Sequence, residues 1–400
     1  MIRVPLATPV PAALAAELAR RVYFVSAAIT GFSLVRTGDE VTAVDVTTQP
    51  PDGVDTAALA RKLDHVVAHD VLTQRQVEPK VVWRSAAPGT ARDVYDELLA
   101  RGAVTESGAG QIVVGEPVLS LMDHLDARIL SLVKEEFAAR EFRYPTLLPS
   151  HALRRTGYVE SFPQLLMFVT RLHGDVDSYR GFLDSLADGA GLTEALRAHG
   201  DGFDHCLPPT MCFHTYHQFA DGLLPAESLV VTARGKSFRH ESRYSGSLER
   251  LWDFTIREIV FLGPPEFVLG ARTRLMERVG ALLESLGLGG RYEVAGDPFF
   301  LGEGTAARAW SQRLLELKYE LRLPLDGAAD EEGTRDVAVA SFNYHEQFFG
   351  RAFGILAGAA APVFTGCAGF GLERLAYAFL CRHGTDPHGW PVAVRTAVAP

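Results

Sequence analysis

Cysteine is scarce in this chain: four thiols, Cys206, Cys212, Cys367 and Cys381, stand among 400 residues, and no two form a CxxC pair. That excludes a disulfide framework and makes reduced thiols in a cytoplasmic protein the expectation. Positive charge is in deficit, with 39 Lys plus Arg against 49 Asp plus Glu and a net charge of -10. A protein that binds by neutralising many phosphates needs a Lys/Arg surplus, so a general polyanion binder is disfavoured. Long apolar runs are nearly absent. The stretch VYFVSAAITGFSLV follows Arg20 and Arg21 but starts too late for a secretory signal and is rich in strand formers. The longest uncharged run, FGILAGAAAPVFTGCAGFGL, carries five glycines and Pro362, which suit strands and a tight turn better than a membrane span.

What is present is a globular composition, 47% hydrophobic and 10% aromatic, with length for about two domains and a large core. Residues 1–110 alternate short patterns: a helix near 12–21, the strand-like VYFVSAAI and VTAVDVTT, a helix near 56–69, the strand KVVWRS and a helix over 91–100. This reads as a small N-terminal α+β module. Its acids slightly outnumber its bases, which argues against a nucleic-acid-binding arm. The Gly/Ser-rich ESGAGQ, residues 106–111, is the expected linker, so the second domain spans 111–400. That domain opens with a long helix near 119–140. Strands SLVVTARGKSFRHE, LWDFTIREIVFLG, DVAVASFNYH and APVFTG follow, and a helix GLERLAYAFL comes near the end. There is no internal repeat. The pattern predicts α+β: an antiparallel sheet flanked by helices.

Two places carry chemistry. The first is the hairpin pair SFRHE and LWDFTIREIV, where period-2 geometry puts Arg239 and Glu241 on one face and Arg250, Phe254 and Glu258 on another common face. Arg, Glu and Phe displayed together suit a nucleotide: guanidinium to phosphate, carboxylate to the adenine amino group, ring to base. A solvent-facing hairpin with cross-strand ion pairs is the alternative. The second is a set of ligand-type residues from separate segments, Cys212 in PTMCFHTYH, Glu258 in TIREIV and Cys367 in TGCAGF. Convergence of the three would leave a zinc ion one open position for a substrate group. Cys206 and Cys381, near His205 and His383, are possible ligands by type, and spacing alone does not reject them. His214, His217 and His345 read at least as well as satisfied structural histidines.

A helix followed by FRYPTLLP, then SFRHE with DFTIREIV, then GFGLERLAYAFL are three ordered motifs over about 230 residues, and they resemble those of the class II aminoacyl-tRNA synthetases. Within that class the chain is most similar to the atypical zinc-dependent seryl-tRNA synthetase core and to its truncated relatives, the amino acid:carrier protein ligases. YPTLLPSHALRRTGYVESFPQL, PTMCFHTY, DPFF, SFNYHEQFFG and TGCAGFGLERL carry that likeness. The resemblance implies a class II synthetase-like antiparallel sheet. It implies activation of a small amino acid with ATP as its adenylate, and transfer to the phosphopantetheine thiol of a carrier protein. It implies that Arg239 grips the α-phosphate, Glu241 reads adenine, Phe254 stacks on it, Arg374 holds the γ-phosphate, and Arg250, Leu251 and Ser341 line the ATP site. Cys212, Glu258 and Cys367 match its zinc triad, through which the amino acid's amine is held, while Cys206 and Cys381 have no counterpart. Magnesium is implied with ATP, although no acid stands at the matching place in DVAVASFNYHE; Asp336 and Glu346 are the nearest. Pro145 matches the first-motif proline, which implies a homodimer. A tRNA-charging enzyme and a non-catalytic regulatory paralogue are the alternatives. The acidic N-terminal module argues against the former, and the intact arginines with a complete Cys/Glu/Cys set argue against the latter.

Overall fold

The computed structural model describes residues 1–26, 28–49, 55–73, 80–240, 247–295, 315–327, 334–358 and 361–398. Its centre is an eight-stranded sheet. In spatial order the strands are Val81–Arg84, Arg291–Val294, Lys318–Asp326, Arg335–Tyr344, Phe364–Gly371, Asp253–Gly263, Leu229–Phe238 and Arg140–Phe142. All neighbours pair antiparallel except the last two, which are parallel. The expected antiparallel sheet flanked by helices is therefore what forms.

Helices Val118–Phe137, Pro265–Ser285 and Leu372–His383 cover one face of this sheet. In Val118–Phe137 the buried Val118, Leu121, Met122, Leu125, Ile129 and Val133 recur every three or four residues, which makes one apolar stripe. They pack against Ile259 and Phe261 of the central strand and Phe370 of its neighbour, side chains that alternate with those pointing the other way. The opposite face of the sheet is left to form a cavity.

The N-terminal residues form a separate three-stranded antiparallel sheet of Ile2–Pro11, Glu40–Thr48 and Ile29–Thr37, packed under helices Ala15–Val25 and Thr56–Val66 around their own core. Two expectations need correction here. The run 22–29 is not one strand, because Leu18, Val22 and Val25 fall on the buried face of the Ala15–Val25 helix, and Arg21 pairs with Glu17 one turn back at 2.7 Å. Nor does the first domain run to residue 110. Val81–Arg84 is a strand of the large sheet, and Ala91, Val94, Tyr95, Leu98 and Val104 lie in the large core, so a boundary at 110 cuts one sheet and one core. The expected linker 106–111 is the turn of a hairpin, Val104–Gly108 with Gln111–Val114. Gly/Ser content marks a turn as readily as a tether. Among the described residues no helix is long and apolar enough to cross a membrane.

Candidate active site

The open face of the sheet floors a cavity of about 860 Å³. Period-2 alternation along Asp253–Gly263 sends Phe254, Ile256 and Glu258 into it and turns Arg257 to the helical side. There Arg257, 2% exposed, makes a bidentate pair with Asp126 of the long helix at 2.7 Å through both Nε and Nη2, and a third contact to Glu141 at 3.2 Å. The strand is thus pinned from behind while its other face lines the cavity. Next to it in register stand Gly371 opposite Ile256 and Gly369 opposite Glu258. A Cβ at Gly369 would lie 2.8 Å from Ile256 Cδ1 and 3.4 Å from a Glu258 oxygen, so a side chain there would fill the cavity floor.

Cys212, the first residue of the short helix Cys212–Gln218, and Cys367, in the strand Phe364–Gly371, meet Glu258 at one end of this cavity. All three are buried, and their ligand atoms lie within 4.8 Å of one another. Thr210 Oγ1 donates to Glu258 Oε2 at 2.5 Å, and Asn343 Nδ2 donates to Cys367 Sγ at 3.5 Å. Burial pushes the Glu258 carboxyl up to about 7, against the pull of the Thr210 and Cys367 hydrogen bonds and the charge of Arg239. Cys367 is held well above the usual thiol range, first by its hydrogen bond to Cys212, then by burial and the neighbouring carboxylate. Three acids gathered away from water resist ionising together unless a cation joins them. Two sulfurs and one carboxylate oxygen at this spacing fit a tetrahedral zinc ion with one position left open. Among the described residues no other such group of ligands occurs. Cys206 and Cys381 stand apart, Cys206 Sγ donating to Leu148 O and Cys381 lying in the core.

The same cavity is lined by two arginines. Arg239 lies just past the Leu229–Phe238 strand, its guanidinium 5.4 Å from the Phe254 ring centre and its Nε donating to Pro209 O at 3.1 Å. Arg374, in the first turn of the Leu372–His383 helix, donates to Glu249 O at 2.6 Å and Ala338 O at 3.0 Å. Arg239, Leu251, Phe254, Ser341 and Arg374 all line the cavity, whereas Arg250 does not. Glu241 lies outside the described residues.

Of the acids considered for magnesium, Asp336 is engaged by Arg291 at 2.6 Å and Arg322 at 2.7 Å, and this pairing disfavours a role as a metal ligand. Glu346 reaches the cavity wall. Sequence reasoning missed Glu320, which faces Ser341 across the ladder and lines the cavity while pairing with Arg322 at 3.0 Å. It also missed Glu373, a buried cavity residue whose two carboxylate oxygens both accept from Thr255 N at 2.8 Å. Glu373 stands beside Arg374 in GLERL, and that adjacency was the available signal. His345 lines the cavity with its Nε2 3.8 Å from Cys367 Sγ, whereas His214 is buried against Tyr144, and burial lowers it to about 4.

No family model matches the chain. "Amino acid--[acyl-carrier-protein] ligase 1" of Bradyrhizobium diazoefficiens is 36% identical to it over 313 residues, which is 77% of this chain and 92% of that protein. The chain belongs to the amino acid:acyl-carrier-protein ligases. A type-2 serine--tRNA ligase of Methanopyrus kandleri is 29% identical over 338 residues, 79% of this chain and 62% of that one. Among solved structures, M. kandleri SerRS in complex with A. aeolicus tRNASec superposes with a TM-score of 0.72 at 24% identity, covering 94% of this chain and 74% of its own. Seryl-tRNA synthetase from Pyrococcus horikoshii complexed with ATP gives 0.60 at 14% identity, covering 86% and 78%. These last two likenesses establish the class II synthetase fold for the ligase described here.

Proposed function

We propose that this ligase activates a small amino acid with ATP and passes it to the phosphopantetheine thiol of a carrier protein. The observation that carries the reading is the buried Cys212, Glu258 and Cys367 cluster in a cavity that Arg239, Phe254 and Arg374 also line. Zinc held by Cys212, Glu258 and Cys367 would accept a neutral α-amine in its open position and so disfavour acids that lack one. The chain's own residues do the rest. Phe254 offers a ring to the adenine, with Leu251 at the edge of the nucleotide pocket and Glu241 as reader of the adenine amino group. Arg239 is proposed to steady the α-phosphate and Arg374 the γ-phosphate, with magnesium accompanying the triphosphate beside Ser341.

In the first step the substrate carboxylate oxygen attacks the α-phosphorus, the bond to the bridging oxygen breaks, and pyrophosphate leaves. The two arginines are suited to spread the charge that develops in that displacement. In the second step the carrier thiol sulfur attacks the acyl carbon, the bond to AMP breaks, AMP leaves, and the thiol proton passes to solvent. No side-chain nucleophile is needed, since positioning and charge stabilisation suffice. The reading includes a homodimer with Pro145 at its interface, and the relatives' names support the carrier as acceptor.

Incubation with ATP, magnesium, labelled glycine or alanine and a phosphopantetheinylated carrier tests the reading. Label should become bound to the holo carrier in a form released by neutral hydroxylamine, as a thioester is. Label on tRNA instead, or none on the holo carrier while the adenylate forms, would contradict the proposed acceptor.

A further inference from the structure

The hairpin Val104–Gly108 with Gln111–Val114, whose residues 106–111 the sequence presents as a linker, packs on Trp252, the neighbour of the cavity-lining Leu251. Its turn residue Gly110 is buried in the left-handed region at φ 66° and lies directly against Trp252. A Cβ added there would stand 2.4 Å from Trp252 Cδ1, 2.6 Å from Cγ and 2.9 Å from the Trp252 backbone nitrogen. Only glycine accommodates both the backbone conformation and this approach. Gly110 O accepts from Trp252 N at 2.8 Å, and Trp252 O in turn accepts from Arg239 N at 3.0 Å. The Trp252 peptide is therefore held on one side by the hairpin turn and on the other holds the backbone of the arginine that faces the cavity. The Trp252 ring also packs on His240, centroids 4.5 Å apart, immediately after Arg239.

The hairpin is a firm support for this relay. Val104 is 2% exposed in the large core, Ile112 packs on that core, Gly115 N donates to Ala103 O at 2.9 Å, and Tyr95 OH donates to Glu106 Oε1 at 2.8 Å. The same stretch of chain reaches the second arginine by another route. Asp93 accepts from Arg335, whose Nε lies 3.6 Å from Glu249 Oε1, and Glu249 O accepts from Arg374 Nε at 2.6 Å. Residues 93–114 thus touch the supports of both phosphate-facing arginines while none of them lines the cavity.

We infer that the 104–114 hairpin is a positioning element of the nucleotide site and that Gly110 is its key residue, setting Arg239 through the peptide of Trp252. This rests on the assignment of Arg239 to the nucleotide. A charge-assisted hydrogen bond to a phosphate is worth roughly 10- to 10²-fold in affinity, and a Cβ at Gly110 forces Trp252 to move by about 1 Å, enough to misplace the arginine that makes it.

The test measures calorimetric affinity for Mg·ATP, bound zinc by elemental analysis and the thermal midpoint in the full chain, for wild type, Gly110→Ala, Trp252→Phe and Arg239→Ala. Gly110→Ala should weaken Mg·ATP by about 10-fold or more, with zinc content near wild type and the midpoint lowered by only a few degrees, as local strain at one turn residue requires. Trp252→Phe, which keeps the backbone bonds but trims the ring, should show a smaller loss and guards against a poorly folding Gly110 variant. Full Mg·ATP affinity in Gly110→Ala while Arg239→Ala loses it would overturn this inference alone. So would parallel loss of nucleotide, zinc and midpoint in both hairpin-contact variants, since that is a general structural defect. Wild-type affinity in Arg239→Ala would overturn the nucleotide assignment and this inference with it.

Discussion

Replacing Glu258 by glutamine should stabilise the metal-free ligase at pH 8. The carboxyl is fully buried and sits at about 7 rather than 4.5, chiefly because burial disfavours its charge. A carboxyl held above its unfolded value adds stability below 4.5, and that contribution is lost as pH rises towards 7. At about 1.4 kcal/mol per pH unit the cost of ionising it reaches about 3 kcal/mol at pH 8, and only about 1 kcal/mol at pH 5. Glutamine has nearly the same shape, carries no charge, and its amide oxygen can still accept from Thr210 Oγ1. Urea unfolding in the presence of a chelator should therefore show Glu258→Gln above wild type by about 2 to 3 kcal/mol at pH 8, with the gap mostly closed at pH 5. Added zinc should reverse the order, because wild type gains binding energy that the variant largely forgoes. A variant no more stable than wild type at pH 8 with metal removed would refute the reasoning, since the carboxylate would then have a compensating cation of the protein's own.

Arg257→Met should lower stability by about 3 kcal/mol, because it strips the buried Asp126 carboxylate of its bidentate partner and leaves it only the 3.5 Å contact to Arg234, and the denaturant midpoint should shift accordingly. Adding Asp126→Leu in the same chain should recover much of that loss. Arg374→Ala should reduce pyrophosphate exchange by about 10² or more with little change in the thermal midpoint. A chain beginning at Lys80 should remain folded, whereas one beginning at Gln111 should lose its cooperative unfolding transition, because the strand Val81–Arg84 and core residues Tyr95 and Leu98 go with the deleted segment.

Much of the site was legible because it lies in strands whose period is two. Phe254, Glu258 and Cys367 could be assigned from alternation and motif likeness, and all three reach the cavity. Arg250 could not, because it precedes the strand Asp253–Gly263 and period-2 counting does not extend into a turn. The zinc-type cluster needs three segments that are distant in the chain, and no local pattern reports their meeting; only the likeness to related proteins singled it out. Residues 106–111 read as a linker from sequence because a Gly/Ser composition is shared by flexible linkers and by tight turns. What separates them is the packing of Gly110 on Trp252, a contact across more than a hundred residues. A boundary at 110 fails for the same reason, since Val81–Arg84 pairs with Arg291–Val294, a segment some two hundred residues further along the chain.

The most direct test of the account is amino-acid-dependent exchange between ATP and pyrophosphate across the standard amino acids, with and without a zinc chelator, in wild type and Cys367→Ala. The account predicts exchange with one or two small amino acids, abolished both by the chelator and by the substitution. Exchange that persists in Cys367→Ala and under chelation would contradict a metal-held amine, and no exchange with any standard amino acid would contradict the activation of a small one.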